Sequence, residues 1–166
     1  DHLKKFKRRT YQNMGEMIAD LRVMRKNRKE IRTLMSGDTL SPAFRERIML
    51  AVTAVNECRY CSFVHSRQAL QKGVSNDEIR ALGNGTYDCC PGEELPALMY
   101  AQHWAETRGH PDEAARAKIL EIYGEEKMRA IEFAIRMITA GNLTGNTFDY
   151  ILHKLSFGLW NPGEAT

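Results

Sequence analysis

Between Ile48 and Val55 the only polar side chain is Thr53. A helix that is apolar on every side has to be enclosed by other elements. The run is far shorter than the roughly 18–20 residues that a membrane span needs. Ser41 supplies a cap and Pro42 a first turn, so the helix is expected from there to about Asn56. Glu46 then enters the edge of the core from the first turns of a buried helix.

The rest of the chain supplies helices to enclose it. Met14, Met17, Ile18, Leu21 and Met24 recur at three and four residues, which predicts an amphipathic helix over 11–24. Such a Met stripe reads first as core and second as a subunit contact. After the break at Gly37-Asp38 and the enclosed helix, a further helix is expected from about Arg59 to Gln71, stopped by Gly73. Ser75 and Glu78 form a capping-box pattern for a short helix that ends at Gly83 and Gly85. Pro91 opens the next, with Pro96 as a second candidate start, and Gly109 ends it. Two more segments follow, one from His110-Pro111-Asp112 through Ile122 and one over 125–139, which Gly141-Asn142 is expected to stop. Phe148, Ile151, Leu152 and Leu155 mark a last helix. The fold class is therefore all-α: one domain, a bundle of about eight helices. With 166 residues, 43% apolar and 8% aromatic, the chain can bury one substantial core. Five Pro and few clusters of β-branched residues disfavour a many-stranded fold.

Residues 1–32 carry eleven Lys or Arg against four acids, and the remainder thirteen against seventeen. The asymmetry is an anion-binding signal, although a solvated basic helix explains it more simply. No nucleic-acid recognition module accompanies it, so nucleic-acid binding is disfavoured. The first residues show neither an apolar stretch nor a cleavage site, and a cytoplasmic setting is expected.

Four cysteines occur, as Cys58-x-x-Cys61 and Cys89-Cys90. On one helix Cys58, Cys61 and His65 fall within about 60° of arc. His65 follows Cys61 by four residues and leans back toward it. A thiol becomes a nucleophile as its thiolate, which a helix N-terminus and a neighbouring imidazole both favour. Cys58 can then resolve an oxidised Cys61 as a disulfide. Two inert packed thiols, or a zinc site, are the competing readings. Zinc needs four well-placed ligands, and a vicinal Cys89-Cys90 pair suits tetrahedral closure poorly. No metal and no cofactor is expected. Cys89-Cys90 itself reads as a second thiol pair, a relay to a reductant, or an accident. His103 and Trp104 read as packing, His110 as a loop residue, His153 as surface, and His2 is uninformative.

At these residues the chain resembles the carboxymuconolactone decarboxylase superfamily, and within it the alkylhydroperoxidase D-like branch. Glu46, eleven intervening residues, then Cys58-x-Tyr60-Cys61-x-x-x-His65 fit that pattern, and the stretch from Ala69-Leu70 to Glu78-Ile79 resembles its continuation. The resemblance covers about residues 40–108. Asn142-x-x-Gly145-Asn146 is also similar, read as a helix start. Three regions are expected: a basic N-terminal helical region over 1–37, the alkylhydroperoxidase D-like domain over 38–155 with the redox motif at 58–65, and an extended or mobile tail over 156–166. The resemblance implies a homotrimer or homohexamer and a thiol peroxidase. Cys61 would attack the hydroperoxide and Cys58 would resolve it. His65 and Glu46 would relay protons, and Tyr60 would shape the site. A lipoyl-bearing or thioredoxin-like dithiol would reduce the disulfide. Members without the Cys pair act as decarboxylases, an activity discounted here. A thiol–disulfide oxidoreductase that does not use peroxide, a non-enzymatic helical binding module and, least favoured, a decarboxylase on the same scaffold remain as alternatives.

Overall fold

Thr53, the one polar residue in the apolar run, is also the residue through which the central helix is tied to the end of the chain. The computed structural model describes residues 6–160; His2 and residues 161–166 of the tail lie outside them. Seven helices and, among the described residues, no strand make up the fold: α1 (Met14–Lys26), α2 (Arg28–Ser36), α3 (Pro42–Asn56), α4 (Arg59–Gln71), α5 (Asn76–Gly83), α6 (Leu95–Glu106) and α7 (Glu113–Leu155). The apolar run is α3, which packs against α4, α5, α6 and α7. Ile48, Ala51 and Val52 have no exposed surface. Ser41 caps α3, its hydroxyl accepting the Phe44 amide at 3.1 Å, with Pro42 in the first turn. Asn142 of α7 donates to Thr53 Oγ1 at 3.1 Å and accepts from Asn56 Nδ2 at 3.2 Å. A buried hydroxyl and two buried amides thus satisfy one another inside the bundle.

The expected helix over 110–122 and the one over 125–139 meet at Gly124, whose non-helical φ of 74° and ψ of 169° divide α7 into two helices across a kink. The expected stop at Gly141-Asn142 is absent. A Gly-Asn pair ends a helix when local groups satisfy its polar atoms. Here Asn142 and Asn146 spend their amides on other elements, and the helix runs on to Leu155. Asn142-x-x-Gly145-Asn146 is therefore a helix interior and not a helix start. Within the expected basic N-terminal helical region, residues 28–36 form a second helix, α2, whose Leu34 enters the core. The short helix after Gly73 has the anticipated capping box, with Ser75 and Glu78 bonding each other's amides at 2.9 and 3.2 Å. The helix anticipated from Pro91 begins at Leu95, with Pro96 in its first turn.

The N-terminal helix starts later than its periodicity suggests, at Met14, capped by Asn13. Tyr11 precedes it in a non-helical segment, and its hydroxyl donates to Asp20 at 2.8 Å. No residue of α1 is buried, and Met14 and Leu21 are more than half exposed. The Met stripe is therefore not core. His153 is buried and not at the surface, its Nδ1 donating to the Trp160 carbonyl at 2.8 Å. That bond turns residues 156–160 back on α7, so the described part of the tail is a turn and not an extended segment.

Burial raises several acidic protons. It pushes the Cys90 thiol from 9.0 up to about 11 and the Tyr87 phenol from 10.0 up to about 12, each helped by nearby negative charge. Burial, reinforced by Asp20 and by Glu132, also raises Tyr11 and Tyr100. These groups keep their protons in the folded chain at pH values where the unfolded chain releases them. Their contribution to stability is complete below about pH 9 and is lost as pH rises toward 12. The urea midpoint should accordingly fall steadily from about pH 9 upward, and Cys90→Ser should remove part of the fall between about pH 9 and 11. A midpoint that stays level to pH 11 would contradict this.

Candidate active site

Cys58 ends the left-handed break after α3, where Glu57 takes a φ of 56°. It is the N-cap of α4, and its Sγ accepts the amide of Cys61 at 3.4 Å. Cys58 and Cys61 lie at disulfide distance, with Cα atoms 5.3 Å apart. Both are buried, Cys58 the more deeply. A sulfur at an N-cap faces the unsatisfied amides of the first turn, which favour negative charge there.

Glu46 reaches this region from α3 and is 1% exposed. Its Oε2 lies 2.7 Å from His65 Nδ1, and its Oε1 lies 3.3 Å from Arg45 Nη2. A carboxylate accepts, so Nδ1 carries the shared hydrogen and His65 Nε2 is left as an acceptor when the ring is neutral. Arg45, also buried, donates to the carbonyl of Leu34 at 3.1 Å. The last turn of α2 is thereby joined to the carboxylate that orients His65. A buried carboxylate needs such partners, since an unpaired charge is costly away from water.

The fourth wall is α7. A β-carbon at Gly145 would come 3.1 Å from Cys58 Sγ and 3.8 Å from Cys61 Sγ. Asn146 donates to the Asn56 carbonyl at 2.7 Å, which fixes the end of α3 just before the cysteines. The same side chain donates to the Arg9 carbonyl at 2.9 Å.

The structure thus pairs Glu46 with His65 and Cys58 with Cys61, with Cys61 and His65 both on α4 and Cys58 at its cap. Tyr60 is on the same helix but is 72% exposed, as is much of its neighbour Phe63, and it forms none of the bonds just described. Arg45 was not singled out in the sequence; an Arg beside a Glu on a helix announces nothing until burial makes the pair obligatory. Gly145 and the two Asn carried a signal, but their spacing gives no hint of what they approach. Cys89 is exposed and Cys90 buried. Near them Arg47 bridges Glu78 at 2.9 Å and Glu94 at 3.1 Å, clamping α3 to α5 and to the start of α6. Burial raises the Glu94 carboxyl against the pull of Arg47. For Glu78 burial acts in the same direction, but the bonds from Ser75 and Arg47 outweigh it and leave the carboxyl low. His103 pairs with Asp112 at 2.9 Å, and His110 is in a loop. Among the described residues no cluster of three or more His, Cys, Asp and Glu side chains is placed to hold a metal ion, and no helix is long and apolar enough to cross a membrane.

Residues 22–107 match the model of the Carboxymuconolactone decarboxylase family, more than half of the chain. The match begins within α1, so it takes in the end of α1 and all of α2 as well as the thiol helix. Neither the curated proteins nor the solved structures give a match.

Two glycines four residues apart on α7 should respond oppositely to one change. A β-carbon at Gly141 meets nothing within 4 Å, so Gly141→Ala should stabilise by up to about 1 kcal/mol through helix propensity. Gly145→Ala crowds the sulfurs and should destabilise by about 1–3 kcal/mol. Urea unfolding of both variants tests this, and equal shifts would show that the approach of α7 to the thiols is loose.

Proposed function

The chain belongs to the carboxymuconolactone decarboxylase family, and from that premise we propose that it is a thiol-dependent peroxidase of the alkylhydroperoxidase D-like kind. The observation that carries the reading is the Glu46–His65 bridge, whose imidazole stands on the same helix as Cys61, a helix capped by Cys58. Either half alone has ordinary explanations. Together they supply a nucleophile, a base, an orienting carboxylate and a resolving thiol.

In the reduced enzyme His65 takes the Cys61 proton through Nε2, while Glu46 holds Nδ1 and stabilises the imidazolium. The thiolate attacks the terminal oxygen of a hydroperoxide. An S–O bond forms, the O–O bond breaks, and His65 returns the proton to the departing alkoxide, which leaves as an alcohol. Cys61 is then a sulfenic acid. Cys58 attacks it, the S–S bond forms, the S–O bond breaks, and the oxygen and two protons leave as water. An external dithiol, lipoyl-bearing or thioredoxin-like, reduces the disulfide with two electrons and is itself oxidised. Cys61 is the more accessible sulfur for that attack, and Cys58 is the better leaving thiolate because the Cys61 amide meets it. The exposed apolar side chains of α1, with Phe148, Ile151 and Leu155 on α7, support assembly with further copies as a trimer or hexamer.

The amide bond to Cys58 also favours a second reading, a thiol–disulfide oxidoreductase that does not consume peroxide. The two part in an assay that follows peroxide and dithiol together. The peroxidase reading expects equimolar loss of both, and dithiol oxidation without peroxide loss would favour the alternative.

Cys61→Ser should abolish peroxide turnover, a loss of at least about 10³-fold if the nucleophile is assigned correctly. Cys58→Ser should consume one equivalent of peroxide and then stop, with a sulfenic acid on Cys61 that a dimedone reagent traps. Retained turnover in the first variant, or no trapped adduct in the second, counts against the assignment.

A further inference from the structure

The basic N-terminal region contributes no side chain to the Glu46, Cys58, Cys61 and His65 set, yet it is not a loose charged tail. Residues 6–12 run across α7 as a strap. The Tyr11 amide donates to Thr147 Oγ1 at 3.1 Å, Arg8 pairs with Asp149 at 2.7 Å, and Arg9 donates to the Ala105 carbonyl. Between this strap, α1, the α6–α7 loop and the middle of α7 lies a cavity of about 780 Å³, whose lining includes Trp104 and Leu143. That is ample for a small organic molecule.

Its charge is one-sided. Five Lys or Arg line it against two acids, Glu16 and Asp20. Both acids already serve the protein. Asp20 accepts the Tyr11 hydroxyl, and Glu16 accepts the Gln12 amide. Arg8 and Arg9 are spent on the strap. Lys7, Arg108 and Arg136 are not: among the described residues none of them is within ion-pair distance of a carboxylate. Arg136 instead lies over the Trp104 ring, 5.4 Å from its centroid. Arg108 takes a φ of 55°, a left-handed conformation that favours Gly or Asn at a helix end, yet here an arginine occupies it at the cavity's edge.

We propose that this cavity is a binding site for a small organic anion, its acid group held by Arg108 and Arg136 and its apolar body laid against Trp104 and Leu143. Guanidinium groups on a cavity lining suit a carboxylate, sulfonate or phosphate, and the indole of Trp104 suits an apolar or aromatic remainder. The charge is gathered around a cavity with an apolar wall and not spread along an open surface, which favours a small ligand over a nucleic acid. Neither Cys58 nor Cys61 lines the cavity, so the site does not share the sulfurs of the proposed peroxidase chemistry.

The test uses the full chain and the fluorescent probe 8-anilinonaphthalene-1-sulfonate, followed by energy transfer from tryptophan and by calorimetry. One probe per chain should bind, with an affinity that falls as salt rises. The neutral analogue N-phenyl-1-naphthylamine should bind at least about ten-fold more weakly. Arg108→Gln and Arg136→Gln should each weaken the sulfonate about ten-fold, and Arg136→Lys should retain part of the loss. Cys61→Ser should bind as the parent chain does, which keeps this result distinct from any failure of the peroxidase reading. Equal affinity for the neutral analogue, parent affinity in the double Gln variant with unchanged circular dichroism, or displacement of the probe by duplex DNA would each overturn the proposal.

Discussion

A carboxylate at the centre of a helical bundle has to be matched atom by atom, and Glu46 is matched on both oxygens. His65 takes one and Arg45 the other. Because Arg45 also holds a carbonyl at the end of α2, the pairing reaches from the N-terminal helices to the thiol helix through two adjacent residues of α3. Ordinary packing would place an apolar residue at position 46 at lower cost. A buried carboxylate that fixes the tautomer and direction of a half-buried imidazole is instead what proton transfer beside a thiol requires.

The other side of the site is built from small and amide residues. Asn142 and Asn146 tie α7 to the last turns of α3, and Gly145 between them lets the α7 backbone approach the sulfurs. The break at Glu57 and the cap at Cys58 then follow from where α3 must stop. Two rigid helices and a short left-handed turn hold the cysteine pair, so its geometry does not depend on a long loop.

Much of this was legible in the sequence because local signals and burial agreed. The apolar run over 48–55, the Ser41-Pro42 start and the Ser75–Glu78 box each name a physical event that takes place within a few residues. The helical spacing of Cys58, Cys61 and His65 likewise needs no tertiary knowledge. The failures share a cause. Gly141-Asn142 reads as a stop only if Asn142 bonds locally, and its partners are 86 and 89 residues away in sequence. The Met stripe of α1 has the period of a core helix, but period cannot say whether a covering layer exists. His153 next to Lys154 reads as surface until the chain turns back over it. Arg45 and the basic cavity were illegible for the same reason: a charge declares its role only once its neighbours from other helices are known.

The central claim is that Cys61 in the reduced chain is held ready as a thiolate by His65 and the start of α4. Its most direct test is the rate of iodoacetamide alkylation at each cysteine against pH, read by mass spectrometry of peptides from the reduced protein. The account predicts that Cys61 alkylates rapidly well below the ordinary thiol range of about 8.5, and that His65→Gln moves its profile upward. A Cys61 profile centred in the ordinary range or above, unmoved by the loss of His65, would contradict it.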